Sequence, residues 1–293
     1  MMNHTVPEGV VESRLERYAF DVFDEILPTR KSVRKAIKRG EIRVDGKICD
    51  PGFWIKPGQD VELHRLQTST PRPFRFPLRI VFEDQWLAVV EKPPGFAVNG
   101  NRYRTVENML LYNLNTSNQK DALRWPKPVH RLDNSTGGLM IAAKTHLSLV
   151  RLGWQFQGRE VRKRYRAIVI GRLEGSGSIQ YPLDGRNAET IFTAVEHVPS
   201  LKNGWVTLID LWSRTGRTHQ LRRHLSNLGF PILGDKLYGV EGEILRSKGL
   251  FLWGVEISFK HPISGSELSF RIKEADKFDS FLRREKRRWG KYH

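Results

Sequence analysis

The sequence has a single cysteine, Cys49, among its 293 residues. An intramolecular disulfide is therefore excluded, and so is a zinc or iron–sulfur site built from several cysteines. The sequence also lacks any run of roughly 20 apolar residues, the length needed to cross a bilayer. Its start, MMNHTVPEGVVESR, lacks the basic stretch and apolar run of a signal peptide. These absences predict a soluble protein with a cytoplasmic location.

Acidic residues are few relative to basic ones: 32 against 49, which gives a formal net charge of +17 at pH 7. A surface of this sign favours polyanions, so nucleic acid is the first expected class of partner and an anionic membrane the second. Hydrophobic residues make up 39% of the chain and aromatic residues 10%. This composition is sufficient for a packed core and excludes a wholly disordered or fibrous chain.

A proline-rich segment, QTSTPRPFRFP, occupies residues 67–77. Its prolines can continue neither a helix nor a central strand, so we interpret it as a linker. It separates a small domain, residues 12–66, from a larger one, residues 78–273. Residues 274–293 form a basic tail.

The small domain contains a stretch of basic residues at helical spacing, opposite an apolar face that includes Val33 and Ile37. Gly40 is a suitable end for this helix, and Asp45-Gly46 predicts a type I′ hairpin turn after it. On charge pattern alone, a solvated helix face explains the basic residues equally well. They are Arg30, Lys31, Arg34, Lys35, Lys38 and Arg39.

The larger segment contains several apolar runs that predict strands, with fewer helical stretches between them. The predicted strands are IVFEDQWLAVVEK, which forms a hairpin, and GLMIAAK, RYRAIVIG, WVTLIDLW and LFLWGVEISF. The predicted helices are TVENMLLYNL, HLSLVRLGWQFQG and THQLRRHLSNLG, the last capped by Thr218. Strands outnumber helices and come in adjacent groups, which predicts an α+β domain with a mixed, largely antiparallel sheet.

The stretch KPVHRLDNSTGGLMIAAK (residues 127–144) places His130, Arg131 and Asp133 in a polar turn directly before an apolar strand. Loops at the ends of rigid strands often present reactive side chains. On these residues alone, an ordinary turn in which Asp133 caps the backbone of Ser135 or Thr136 is the simpler interpretation.

This stretch resembles the HRLDxxTSG motif of the RluA family of RNA pseudouridine synthases. Four further segments resemble the family's motifs in the same order: KRYRAIVIG, RTGRTHQLRRHL, GFPILGDKLYG and FKHPISG. The small domain, with its basic helix, hairpin and PGQDVEL strand, is similar to the S4 RNA-binding domain. The two resemblances imply a pseudouridine synthase domain preceded by a small S4-like module of helix and β-hairpin.

The resemblance implies that the protein isomerises uridine in RNA to its C-glycoside, with Asp133 as the essential carboxylate near the anomeric carbon. Whether this carboxylate attacks C1′, attacks the base or removes a proton at C2′ stays open. The reaction needs no metal, redox centre or nucleotide cofactor. His219 and His224 do not suggest a metal site, because five residues on a helix place them about 140° apart.

The resemblance also implies roles for neighbouring residues. Arg217 is expected to form an ion pair with Asp133, which would keep the carboxylate ionised and fix its direction. Tyr165 is expected to stack on the flipped uracil, and Arg131 to fill the gap that the extruded nucleotide leaves. His130 is expected to position the loop. The remaining predicted contacts with RNA are made by Lys163 and by the helix residues Arg30, Lys31, Arg34, Lys35 and Lys38.

The sequence departs from the family pattern at Gly137, where the motif usually has serine, and in the Asn-Ser pair that follows Asp133. Near the end, Trp253 and Gly254 replace the usual histidine and alanine. These differences put contacts in the base pocket in doubt, but they leave Asp133 in place.

Two alternatives belong to other functional classes: a non-catalytic RNA-binding or ribosome-assembly protein, and a hydrolytic nucleosidase. The joint presence of Asp133, Tyr165 and Arg217 argues against a pure binding protein, and the basic surface argues for a polymeric substrate. We expect ribosomal RNA as the substrate rather than transfer RNA, no membrane partner, and a monomer.

Overall fold

The structure, a computed structural model, describes residues 2–24, 26–27, 29–64, 70–239 and 248–292. The chain forms two compact units. The first consists of residues 1–71 and 120–122, and the second of residues 72–119 and 123–293. The predicted linker, residues 67–77, spans the boundary between the two units, although its residues 67–69 lie outside the described ranges.

The first unit combines two helices with short strands. In chain order its elements are β1 (Met2–Thr5), β2 (Ser13–Arg14), α1 (Leu15–Val22), α2 (Arg30–Lys38), β3 (Ile42–Val44), β4 (Lys47–Ile48), β5 (Trp54–Ile55) and β6 (Asp60–Leu63). Four of these strands form an antiparallel sheet in the order β1-β6-β3-β4, and β2 pairs with β5.

Helix α2 is the predicted basic helix. The Thr29 hydroxyl caps it by accepting a hydrogen bond from the backbone N–H of Ser32 at 3.1 Å. One face buries Val33 and Ile37, and the basic residues of the helix are exposed. The predicted turn between β3 and β4 is also present, since Asp45 and Gly46 have φ angles of 49° and 76°. The basic helix and the hairpin are therefore confirmed.

The second unit is built on one large sheet. Its strands are β7 (Arg79–Glu83), β8 (Leu87–Lys92), β9 (Ala122–Pro128), β10 (Gly137–Thr145), β11 (Arg162–Ile170), β12 (Ser176–Ile179), β13 (Thr190–Ser200), β14 (Gly204–Ser213), β15 (Leu252–Lys260) and β16 (Glu267–Arg271). Its helices are α3 (Val106–Asn113), α4 (His146–Gln157), α5 (Gln220–Asn227) and α6 (Lys277–Tyr292).

Strand order in this sheet is β12-β13-β14-β11-β15-β10-β8-β7, with β16 beside β15 and β9 beside β10. The pairs β8–β10, β11–β14, β11–β15 and β13–β14 are antiparallel, whereas β10 and β15 are parallel. The predicted α+β class with a mixed, largely antiparallel sheet is thus confirmed. All nine residues of β10 are buried, as the apolar run in the sequence indicates.

The structure corrects the prediction of a separate basic tail at residues 274–293. Residues 277–292 form α6, and its Phe278, Phe281 and Leu282 are buried in the same core as Phe251. The many arginines and lysines of this segment hide a regular apolar stripe, which is the face that packs on the sheet. No helix among the described residues is long and apolar enough to cross a membrane.

Candidate active site

Asp133 lies in the loop between β9 and β10, where its carbonyl accepts a hydrogen bond from Thr136 N–H at 3.1 Å. Its side chain is about one-fifth exposed. Two groups flank the carboxylate: the Arg222 guanidinium at 3.6 Å and His219 Nε2 at 3.8 Å. Both distances exceed a normal hydrogen bond, so the carboxylate oxygens keep room for a ligand.

The carboxylate faces a cavity of about 140 Å³ that Tyr165 and Arg217 also line. A groove of about 1180 Å³ shares Tyr165, Arg131, Lys163 and Arg217 with this cavity. Basic residues in the groove outnumber acidic ones. They are Arg131, Arg159, Arg162, Lys163, Arg164, Arg214 and Arg217, against Glu189 and Glu256. Such a groove suits an anionic polymer.

Lys92, the last residue of β8, is fully buried beneath the loop of Asp133. Its ammonium group donates to the carbonyl oxygens of Pro93, Asn134 and Thr136 at 3.0, 3.2 and 2.8 Å. Burial lowers the pKa of Lys92 to about 8, and the charge of Asp133 opposes that shift. The lysine thereby ties the loop of Asp133 to the sheet.

Arg222, not Arg217, is the arginine that pairs with Asp133. Arg222 is buried in α5 and forms a bidentate ion pair with Asp235, with both hydrogen bonds at 2.7 Å. The Arg217 side chain lines the same cavity, but its Nε donates to the carbonyl of Asn187 at 3.1 Å. The predicted Arg217–Asp133 ion pair is therefore corrected.

The difference arises at the start of α5. The helix begins at Gln220, and the residue before it, His219, has left-handed backbone angles of φ 54° and ψ 26°. The predicted cap by Thr218 is wrong. The helix therefore begins one residue later than a Thr218 cap implies, and Arg222 lies in its first turn.

Tyr165 lies on β11 and is 9% exposed. Burial raises the pKa of its hydroxyl, as does the charge of Asp133, while a hydrogen bond to Ser213 lowers it; the net shift is strongly upward. The phenol therefore stays protonated at neutral pH. Opposite Tyr165 on β15 lies Gly254, and a Cβ there would come within 3.5 Å of the tyrosine ring.

Comparison with known proteins decides the family. The profile described as RNA pseudouridylate synthase matches residues 86–227, and that of the S4 domain matches residues 25–61. A "Ribosomal large subunit pseudouridine synthase D" of Zymomonas mobilis is 32% identical over 91% of this chain and 92% of its own length. The chain belongs to the RNA pseudouridine synthase family.

Other relatives agree. An uncharacterized RNA pseudouridine synthase of Aquifex aeolicus is 30% identical over 92% of each chain. The solved structure of human RNA pseudouridylate synthase domain containing 1 matches with a TM-score of 0.56 and 22% identity, covering 71% of this chain and 95% of the human one. That structure supports the fold alone. As a family member, this pseudouridine synthase is an isomerase that acts on RNA.

The structure places the other predicted residues of the synthase domain around the same loop. His130 stacks on Phe156 at 4.6 Å and its Nε2 accepts the backbone N–H of Ile141 at 3.0 Å. Burial is the main cause that lowers the pKa of His130, to about 3, and the nearby charge of Lys163 adds to it. A neutral, half-buried imidazole suits the predicted positioning role better than contact with phosphate. Arg131 is exposed in the groove.

Lys163 is half-buried, with its Nζ 5.6 Å from the Phe156 ring centroid, and burial lowers its pKa. His224 lies away from any shared site with His219, since its nitrogens contact Thr190 Oγ1 at 3.0 Å and the Tyr181 carbonyl at 2.9 Å. Within the described ranges, no cluster of three or more His, Cys, Asp or Glu side chains could hold a metal ion.

Two of the three departures from the family pattern prove to be neighbours. Gly137 on β10 pairs with Trp253 on β15, and a Cβ at position 137 would overlap the Trp253 ring. The indole therefore occupies the space that a serine side chain would need. The next pair, Gly138 and Gly254, is equally close, since a Cβ on Gly138 would meet the Gly254 backbone.

Sequence reasoning missed Lys92, Arg222 and His219. Lys92 had a usable signal: a lysine that ends an apolar strand and precedes two prolines is placed for burial at a loop. Arg222 belongs to the segment RTGRTHQLRRHL. Its position depends on the left-handed His219, for which the sequence carries no signal.

Proposed function

We propose that this pseudouridine synthase modifies uridines in ribosomal RNA of the large subunit and that Asp133 is its catalytic carboxylate. The observation that carries the proposal is the position of Asp133: its partly exposed carboxylate faces a cavity shared with Tyr165 and lies beside Arg222. The ribosomal substrate is supported by relatives named "Ribosomal large subunit pseudouridine synthase D", including one of Vibrio parahaemolyticus that is 30% identical over 94% of this chain.

In the reaction, the N1–C1′ bond of the target uridine breaks, the uracil turns, and C5 bonds to C1′; C5 then loses its proton and N1 takes one up. An ionised carboxylate beside C1′ stabilises or traps the developing positive charge there. Arg222 fixes the orientation of the Asp133 carboxylate, and the ring of Tyr165 stacks on the uracil. Attack at C1′, attack on the base and proton removal at C2′ all use the same carboxylate, and the choice among them stays open.

The basic groove holds the RNA strand around the flipped nucleotide. Phosphates contact its arginines and Lys163, and Arg131, which is exposed at the mouth of the cavity, enters the space that the target base leaves. The large excess of positive charge in this groove explains why a polymer, rather than a free nucleoside, is the substrate.

The first unit, which contains the S4 domain, supplies a second contact with RNA. The exposed basic residues of α2 bind phosphates without reading bases. The opposite face of the helix is apolar and buried, so it presents no side chain to a base edge. Arg34 also pairs with Glu16 at 2.6 Å, so its guanidinium is held in place on the helix surface. We further propose that the protein acts in the cytoplasm as a monomer.

Replacement of Asp133 by asparagine tests the proposal. Asp133→Asn keeps the shape of the side chain but removes its charge, so turnover should fall below detection while RNA affinity is retained. Pseudouridines are mapped at nucleotide resolution in RNA from cells with the wild-type gene, the variant gene and no gene. Isomerisation by the variant would refute the role of Asp133, and release of free uracil by the wild type would indicate a hydrolase instead.

A further inference from the structure

Arg222 and His219, the two groups that flank Asp133, are themselves held by two residues outside the loop of Asp133. Asp235 and Tyr238 belong to the segment GDKLYG, which follows α5. Asp235 binds Arg222 through both carboxylate oxygens at 2.7 Å. Tyr238 packs beneath the same guanidinium, with the Arg222 Cζ 5.0 Å from its ring centroid, and its hydroxyl lies 2.9 Å from His219 Nδ1.

The segment is itself held rigidly. One oxygen of Asp235 accepts the backbone N–H groups of Leu237 and Tyr238 at 2.9 and 3.1 Å. The Tyr238 carbonyl accepts the hydroxyl of Ser226, from the last turn of α5, at 2.7 Å. The hydroxyl of Tyr238 is therefore fixed relative to His219 rather than free to search for a partner.

The contact at Nδ1 has a consequence for the other nitrogen of His219. In a neutral imidazole one nitrogen carries the proton, and the hydrogen bond at one nitrogen determines which. If the Tyr238 hydroxyl donates to Nδ1, the proton resides on Nε2. That nitrogen lies 3.8 Å from Asp133 Oδ1 and is then a donor toward the carboxylate.

We propose that Tyr238 is a positioning residue of the catalytic centre: its hydroxyl donates to His219 Nδ1 and holds His219 in the Nε2–H form, with that N–H directed toward Asp133. This inference rests on the catalytic role proposed above for Asp133. The left-handed backbone of His219, uncommon for a residue other than glycine, agrees with it, because this conformation places the ring between Tyr238 and Asp133.

Each carboxylate oxygen of Asp133 thus faces a different group. The Arg222 guanidinium faces Oδ2 at 3.6 Å, and Nε2 of His219 faces Oδ1 at 3.8 Å. Asp235 fixes the first group and Tyr238 fixes the second. When a nucleotide fills the cavity, both contacts can shorten to hydrogen bonds, since catalytic hydrogen bonds are often long without substrate.

Nitrogen-15 NMR of the histidine rings tests the tautomer directly. The protein, labelled on its nine histidines, gives long-range proton–nitrogen patterns that distinguish Nε2–H, Nδ1–H and charged rings. The signal of His219 is assigned from the spectrum of His219→Gln. We expect the Nε2–H pattern in the wild type and a mixture of tautomers in Tyr238→Phe. An Nδ1–H or charged ring in the wild type, or an unchanged pattern in Tyr238→Phe, would overturn the proposal.

Kinetics on substrate RNA test the consequence for Asp133. Tyr238→Phe keeps the ring under Arg222 and should lower kcat about five-fold with KM unchanged, the scale of one neutral hydrogen bond. His219→Leu should lower kcat about 30-fold, whereas His219→Gln, whose amide N–H can replace Nε2–H, should restore most of it. Tyr112→Phe, the same change at an exposed tyrosine of α3, is the matched control.

These two measurements separate the inference from the function on which it rests. If kcat is unchanged in Tyr238→Phe, or if His219→Gln is as slow as His219→Leu, the positioning role is refuted. If Asp133→Asn still isomerises uridine, the proposed function itself has failed. The NMR result does not depend on turnover, so the two failures are distinguishable.

Discussion

Two arginines of one motif, Arg217 and Arg222, differ in what they contact. Arg222 is buried between Asp133 and Asp235, whereas Arg217 is half-buried and donates to a backbone carbonyl. We predict that Arg222→Lys lowers kcat by about 30- to 100-fold, because lysine keeps the charge but loses the two-pronged hydrogen bond that directs the guanidinium. Arg217→Lys should change kcat by less than about three-fold.

Steady-state kinetics with the same RNA measure both variants, and thermal unfolding shows whether Arg222→Lys is folded. Equal losses of kcat in the two variants would contradict the assignment of the ion pair to Arg222. A large loss confined to Arg217→Lys would restore the pairing that the motif alone suggests.

Gly137 and Trp253 form a second pair whose members depend on each other. A Cβ on Gly137 would overlap the indole ring, so Gly137→Ser should destabilise the protein by about 1–3 kcal/mol, as overpacking of a buried site does. Trp253→His alone leaves a cavity and should also destabilise. In the double variant the smaller ring admits the serine, so the two losses should not add.

Unfolding in urea measures the free energy of the wild type, the two single variants and the double variant. A double variant that loses the sum of the two single effects would show that the residues are independent. Non-additivity would explain why both departures from the family pattern occur in one chain.

The predicted residues Asp133 and Tyr165, which line the same cavity, lie next to or on strands. Asp133 precedes an apolar run that predicts a strand, and Tyr165 belongs to another, so their placement follows from the pattern. Arg222 and His219 depend on a left-handed residue that precedes a helix, and Lys92 depends on two carbonyl oxygens, of Asn134 and Thr136, that are distant in sequence. Contacts of this kind arise from tertiary packing and have no local signal.

Among the helices and strands, α2 allows the most direct test of RNA binding. Its exposed basic residues should contact phosphates only, so each neutralised contact should reduce the slope of log affinity against log salt by roughly 0.7. The substitution set is Lys31→Gln, Arg34→Gln, Lys35→Gln and Lys38→Gln. Because these residues line neither cavity of the synthase unit, the variant should show a higher KM and a nearly unchanged kcat at saturating RNA.

The salt slope and the kinetics are measured on full-length substrate RNA. Lys47→Gln and Lys56→Gln, at basic positions of the same unit outside α2, provide a control for the loss of positive charge. An unaltered slope and KM in the α2 variant would mean that this helix is a solvated face, the alternative that the charge pattern leaves open.

The elements themselves were predictable to different degrees. Apolar runs identified β8, β10, β11, β14 and β15, which occupy the middle of the sheet. Strands β12 and β16, with partly exposed and polar residues, gave no such run. The parallel pairing of β10 with β15 joins segments more than a hundred residues apart and cannot be read from local pattern.

In the second unit, which contains the synthase domain, α6 shows why the basic composition of residues 274–293 alone led to the prediction of a separate tail. The segment is strongly basic, yet Phe278, Phe281 and Leu282 bury one face of it in the core. Its Lys277 donates to the Leu250 carbonyl at 2.6 Å and to the Lys248 carbonyl at 3.2 Å. The helix therefore belongs to the folded unit and contributes titrating groups to its stability.

Burial lowers the pKa of Lys277 to about 8, as it does that of Lys92. Both groups have an ordinary pKa of 10.5, so between about pH 8 and 10.5 the folded chain binds fewer protons than the unfolded chain. The free energy of unfolding should therefore rise with pH in this window, by at most about 1.4 kcal/mol per pH unit for each group. Above about pH 10 the rise should become shallower, because burial raises the pKa of Tyr165 and the unfolded chain then loses that proton first.

Urea unfolding at half-unit steps from pH 7 to 10.5 measures this profile. Lys277→Met removes one of the two lysines and should reduce the rise between pH 8 and 10, whereas Lys120→Met, at a lysine with no such burial, should leave it unchanged. A free energy that falls steadily from pH 8 would mean that the carbonyl oxygens around Lys92 and Lys277 hold the charged form more strongly than burial opposes it. In that case the lysines would stabilise the fold as cations, and the loop of Asp133 over Lys92 would loosen as the pH rises.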